Sequence, residues 1–157
     1  MSDLIALHSI GHVVGGRVAA ADDDWDAVQA RIVLASEFTA EALAGLEDFS
    51  HVEIVFQFHR QDVAGIVADA RHPRGRSDWP RVGIFAQRGK ARPNRIGVSV
   101  CRLIAVEGTT LTVAGLDAID GTPVVDIKPV MTGFLPRGAI REPDWARAIM
   151  TRYWEVP

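Results

Sequence analysis

Short apolar, β-branched runs separated by glycine and proline turns dominate this 157-residue sequence. They predict a mainly β fold: a single β-barrel domain over residues 1–157, with one or two short helices and a C-terminal helix. Three observations lead there. Segments such as "FSHVEIVFQFHR" (49–60) alternate apolar and polar residues with a period of two. Turn signals recur between the runs, at Gly15-Gly16, Glu107-Gly108 and Asp120-Gly121. Helical spacing is confined to two places, near residue 40 and after residue 143.

Taken in order, "LIALHSIGHVVGGRV" (4–18) predicts a strand with a bend at Gly15-Gly16. "AAADDDWDAVQA" follows as an acidic loop around Trp25, and "ARIVLA" is a second short strand. "TAEALAGLEDF" predicts one short helix capped by Thr39. In the strand that follows, Val52, Ile54, Phe56 and Phe58 share one face. His51, Glu53, Val55, Gln57 and His59 share the other, which places Glu53, Gln57 and His59 as candidates to line a cleft. Residues 61–81 lose periodicity and become a Pro/Gly/Arg-rich loop, before a short strand at "VGIFA". "IGVSVCRLIAVEGTTLTVAGLDAI" reads as a hairpin turning at Glu107-Gly108, and "DGTPVVDIKP" as a turn and a further strand. Pro143 suits a helix N-terminus, with Trp145, Ile149 and Tyr153 spaced along one face.

An apolar fraction of 48% and a charged fraction of 24% describe an ordinary globular chain. No apolar run is long enough to span a bilayer, and the start lacks the features of a secretory signal, so a cytoplasmic protein without a membrane partner is expected. One cysteine, Cys101, excludes an internal disulfide and a Cys-x-x-Cys metal site; it sits mid-strand and reads as core. His8 and His12 share a strand face but lie about 13 Å apart along it, too far to share a metal without a bend. The run Asp22, Asp23, Asp24, Asp26 reads as exposed loop or helix start rather than cation site, and no metal is expected. Phosphate-loop, dinucleotide and nucleophile-elbow motifs are missing.

Net charge is −3, yet nine of the 17 basic residues lie between Arg71 and Arg102, with Asp78 the single acid among them. That asymmetry points either to a solvated charged loop or to a site for phosphate or carboxylate on an acidic body. Polar residues also gather at strand ends, which in a barrel converge on one mouth. Arg88 and Arg92 suit anionic oxygens. Asp117, Asp120 and Asp126 suit amines, ribose hydroxyls or a cation, and Asp126 and Lys128 face the same way on one strand.

Three phrases narrow the choice. "LEDFSHVEIVFQFHR", "GIFAQRGKARPNRIGVSV" and "LDAIDGTPVVDIKP" occur in the order and at the spacing seen in the TsaA-like family. The resemblance runs from Ile10 to Pro129 and leaves 130–157 as an extension. It implies a β-barrel, a homodimer and S-adenosylmethionine (SAM) as methyl donor. In the characterised branch the acceptor is the N6 nitrogen of threonylcarbamoyladenosine beside the tRNA anticodon. Cofactor contacts are implied at His59 and Arg60, at Arg88, at Val98, and at Ala114, Gly115, Leu116 and Asp117. Arg92, Asn94, Asp126 and Lys128 lie in the same signature phrases and are the candidate catalytic residues, expected around the same pocket.

The sequence departs from the pattern in three places. Gly15-Gly16 stands where the family usually has Ser-Pro, and no Pro-Arg-Gln follows; the acidic residues 22–26 are expected to alter the electrostatics of that part of the pocket. Val130 replaces the aromatic after "DIKP". The chain also stops where many tRNA-modifying members continue into a further domain. Two other readings therefore stay open: a methyltransferase for another RNA or a small metabolite, and a non-enzymatic RNA- or nucleotide-binding module using the basic segment, with salt-dependent affinity.

Overall fold

A computed structural model describes residues 3–155; residues 1, 2, 156 and 157 lie outside it. Eight strands follow one another: β1 (Gly11–Val14), β2 (Gln29–Leu34), β3 (His51–Gln57), β4 (Ala70–Arg71), β5 (Val82–Gly83), β6 (Ile96–Glu107), β7 (Thr110–Ala114) and β8 (Pro123–Pro129). Six of them close a barrel in the order β1-β2-β7-β6-β3-β8, while β4 and β5 form a separate two-stranded sheet. The barrel pairs are all antiparallel, and β8 closes the ring by pairing with both β3 and β1.

Period-two alternation decides which residues fill the interior. On β3, Val52, Ile54 and Phe56 are buried while His51, Glu53, Val55 and Gln57 are half-exposed. Val13, Ile32, Cys101, Leu111, Val113, Leu116 and Val124 complete the same core. Cys101 is inert there: burial first, and the Asp117 charge second, push its thiol up to about 12. The β6–β7 hairpin turns where the sequence predicts, with Gly108 at φ 60°.

Four expectations are corrected. The first strand is confined to Gly11–Val14 because, among the described residues, its ladders with β2 and β8 begin at Gly11; Ile10 before it still exchanges backbone hydrogen bonds with Val124 and Ala35. Leu4, Ile5 and Leu7 are exposed. The short helix expected from a Thr39 cap up to Gly45 is a 3-10 turn, Ala40–Leu43, followed by a second 3-10 turn at Leu46–Asp48. Gly45 between them adopts φ 83°, which breaks the α path, and Thr39 makes no side-chain cap. "VGIFA" is a strand only at Val82–Gly83; Ile84–Ala86 form a 3-10 turn. The C-terminal helix α1 spans Asp144–Ile149, and Tyr153 lies beyond it in a following turn.

The acidic loop is paired with arginines. Arg74 binds Asp23 at 2.8 Å, Arg102 binds Asp26 at 2.7 Å, and Arg152 lies 3.7 Å from Asp24. Arg17 donates to the Asp23 and Asp24 carbonyls and stacks 4.3 Å over the buried Trp25 ring. Among the described residues, no His, Cys, Asp or Glu group is arranged to hold a metal ion, and no helix is long and apolar enough to cross a membrane.

Candidate functional site

One cleft of about 1110 Å³ opens beside the barrel. Its floor is β3 and β6: Phe56 and Phe58, edge to face at 5.2 Å, lie against Gly97, Val98 and Ser99. The cleft therefore opens on the apolar side of β3. Of the polar-face trio expected to line it, His59 does so, beyond the strand end, whereas Glu53 and Gln57 are not among its lining residues.

Turn chemistry sets the walls. The Arg95 N–H donates to the Arg92 carbonyl, so Pro93 and Asn94 form the tip of a tight turn, and Arg95 leaves it at φ 53°. That turn brings Arg92 to the cleft, where it donates to the Gln87 carbonyl at 2.8 Å, and leaves Asn94 exposed outside it. Buried Gln87 donates in turn to the Arg71 and Val82 carbonyls, tying the β4–β5 sheet to the basic turn. Arg60, Arg71, Arg74, Arg88, Lys90 and Arg92 all line the cleft, facing four acids, Asp22, Asp62, Asp117 and Glu142. Five residues of the basic segment (Arg71, Arg88, Lys90, Arg92 and Arg95) form no carboxylate pair among the described residues, and the Arg71 Nε is buried without a hydrogen-bond partner. A buried guanidinium N–H in that state favours an anionic ligand.

Asp117 is the buried charge of the site. Ser99 and Tyr153 both donate their hydroxyls to its carboxylate. Burial pushes its carboxyl above the ordinary range, against the Tyr153 hydroxyl, a backbone hydrogen bond and the nearby Arg88. The Tyr153 hydroxyl is likewise raised, by burial and then by Asp117. His59 is lowered by burial and the adjacent Arg60, which favours the neutral imidazole. Arg88 reaches the Val98 carbonyl at 2.9 Å.

His59, Arg60, Arg88, Val98, Asp117 and Arg92 thus meet in one cleft. Ala114, Gly115 and Leu116 are buried just behind Asp117 and do not line it. Asp126 pairs with Lys128 on β8, away from the lining. Asp120 accepts the Gly15 N–H at 2.8 Å, so its carboxylate joins the glycine bend to the "DGTP" turn. Sequence reasoning missed a wall: Trp145, Ile149, Met150, Tyr153 and Trp154 of the C-terminal segment all face the cleft. The available signal was compositional, since that segment holds two of the four tryptophans and the lone tyrosine.

The family model of the tRNA-methyltransferase O N-terminal domain matches residues 21–134. The chain belongs to this family. A mouse relative named tRNA (adenine(37)-N6)-methyltransferase is 42% identical over 93 residues, 59% of this chain and 21% of that protein. The Escherichia coli protein of the same name is 44% identical over 96 residues, 59% of this chain and 40% of its own length. A Pyrococcus abyssi relative, named "Probable S-adenosyl-L-methionine-binding protein", is 35% identical over 114 residues, 73% of this chain and 59% of its own. Among solved structures, TrmO from Pseudomonas aeruginosa aligns with TM-score 0.71 and 31% identity, covering 88% of this chain and 62% of that one. The chain spans between a fifth and three fifths of these curated relatives. The matched stretch of the tRNA-methyltransferase O family includes the basic turn and Asp117, and ends before α1.

Proposed function

We propose that this chain is a SAM-dependent methyltransferase acting on an adenosine of tRNA, and specifically on N6 of threonylcarbamoyladenosine beside the anticodon. The observation that carries the reading is the convergence of His59, Arg60, Arg88, Val98 and Asp117 on one cleft, in a chain whose relatives are named as an S-adenosyl-L-methionine-binding protein and a tRNA adenine-N6-methyltransferase. The donor set fits the group. A cationic rim suits a carboxylate, buried Asp117 suits an ammonium or ribose hydroxyl, and half-buried Phe58 offers apolar surface to a flat heterocycle. At about 1110 Å³ the cleft exceeds a typical single-ligand site of roughly 300–1,000 Å³, leaving room for an acceptor beside a cofactor.

When bound, SAM supplies an electrophilic methyl on a sulfonium. The work left to this chain is alignment. Arg88 holds the anionic end of the donor, and Ser99 and Tyr153 keep Asp117 oriented toward its polar groups. Arg92 serves the acceptor side, and Lys90 and Arg71 offer charge to backbone phosphates. Asn94, Asp126 and Lys128 are assigned to shaping turn and strand, not to the reacting atoms. An anticodon-loop base is already unpaired, so reaching it requires no duplex opening.

The family also implies a homodimer working in the cytoplasm. Ile104 on β6 and Phe85 are exposed apolar residues outside the cleft lining, surface that a second copy would cover. Two measurements test the reading. Calorimetric titration of SAM into the purified protein should give saturable micromolar binding. Nucleoside digests of tRNA from a deletion strain should contain an undermethylated adenosine. Absence of cofactor binding by folded protein would sink it, and unchanged tRNA with SAM binding intact would redirect it to another acceptor.

A further inference from the structure

The cleft has a wall that the family match does not supply. Residues 142–154 lie beyond the matched stretch, yet Trp145, Ile149, Met150, Tyr153 and Trp154 line the cleft. This wall is held from both sides. The Asp24 and Trp25 amides donate to the Arg152 and Tyr153 carbonyls at 3.0 and 2.9 Å, and the Tyr153 hydroxyl donates to Asp117. Tyr153 and Trp154 pack edge to face at 4.8 Å, and Trp154 remains 38% exposed. Contiguous aromatic surface left partly open in a fixed position is unlike scattered single exposed residues, and marks a binding face.

Charge identifies the ligand. Arg74 and Arg88 lie close enough to Tyr153 to act on its hydroxyl, and Arg71, Lys90 and Arg92 line the same cleft. Arg71 adds a buried Nε without a partner. Aromatic faces beside unpaired cations match a flat base joined to a phosphate. Position separates acceptor from cofactor: the residues assigned to the donor lie within the stretch that the family model matches, and the wall beyond that stretch is left for the other reactant.

We propose that Trp145 and Trp154, set by Tyr153, form a stacking subsite for an unpaired nucleotide of an RNA methyl acceptor, with Arg71, Lys90 and Arg92 receiving its phosphate. The assignment rests on the methyl-transfer reading for its name as an acceptor site. The stacking itself is measurable without turnover.

The test compares the full-length chain with Trp145→Ala, Trp154→Ala and Trp154→Phe at fixed salt. Binding of a short adenosine-containing single-stranded oligoribonucleotide is read by fluorescence anisotropy, and SAM binding by calorimetry. Each alanine variant should weaken RNA binding about tenfold, within the range for loss of one base–aromatic stack, and leave SAM affinity within about twofold. Trp154→Phe should keep most of the RNA affinity. If Trp154→Ala melts early, Trp145→Ala and the phenylalanine variant carry the comparison. Unchanged RNA affinity in folded variants overturns the proposal, and so does loss of SAM affinity alone, which would give the wall to the cofactor. A parent protein that binds SAM but no RNA also overturns it while leaving methyl transfer standing. A parent that binds RNA through these tryptophans but no SAM keeps the subsite and removes the methyl-transfer reading.

Discussion

Gly97→Ala tests how tightly the cleft floor is built. Gly97 on β6 stands opposite Phe56 on β3. A Cβ added there would lie 2.5 Å from the Phe56 Cε2 and Cζ atoms and 2.9 Å from the Phe58 Cζ. Carbon atoms rest at about 3.5–4.0 Å, so both rings would have to retreat by roughly 1 Å or slightly less. Phe56 is 1% exposed, so its retreat must displace packed core neighbours. Overpacking of this kind costs about 1–3 kcal/mol. With a urea slope of about 1–3 kcal/mol per molar, a loss of about 2 kcal/mol lowers the unfolding midpoint by about 1 M at unchanged slope. Adding Phe56→Leu removes the ring edge, so the double variant should be more stable than the sum of the two single losses predicts. Urea unfolding followed by tryptophan fluorescence reads both. A Gly97→Ala midpoint equal to the parent's would refute the close approach of the two strands.

Arg88→Ala should weaken SAM binding about ten- to a hundredfold, the scale of a lost charge-assisted hydrogen bond; an unchanged calorimetric Kd removes Arg88 from the site. Burial raises the Asp117 carboxyl above its ordinary 3.8, so the folded chain holds a proton that the unfolded chain has released. The stability this contributes is full below about 3.8 and is lost as pH rises through the folded value. The difference in Tm between the parent and Asp117→Asn should therefore fall as pH rises across that window, and parallel curves would contradict the burial. Arg102→Ala breaks a pair whose side chains are 44% and 37% exposed, and should cost no more than about 1 kcal/mol. A loss as large as that of Gly97→Ala would mean that the pair anchors the whole acidic loop.

What was legible in the sequence was periodic or local. Alternation of Val52, Ile54 and Phe56 predicts the face that β3 buries, and Gly108 marks the hairpin. The signature phrases anticipate that His59, Arg88, Val98 and Asp117 meet, although they lie far apart in sequence. What could not be read depends on partners across the fold. The first strand's length is set by where its ladders with β2 and β8 begin, and the segment near residue 40 closes as a 3-10 turn without its Thr39 cap. Asp120 meets the Gly15 amide across the fold, a contact that no local pattern announces. Tyr153 is spaced as a helix residue, and only the backbone pairing with residues 24 and 25 reveals why it leaves the helix and meets Asp117.

The closure of the barrel by β8 has a consequence for the order of assembly. During synthesis, domains fold as their residues emerge from the N-terminus. Here the strand that joins β3 to β1 arrives only with residues 123–129, and the segment that pairs with residues 24 and 25 arrives later still. A nascent chain therefore carries its basic turn before it has a cleft to put it in. Ligand binding by this protein reports a chain made at least through residue 154.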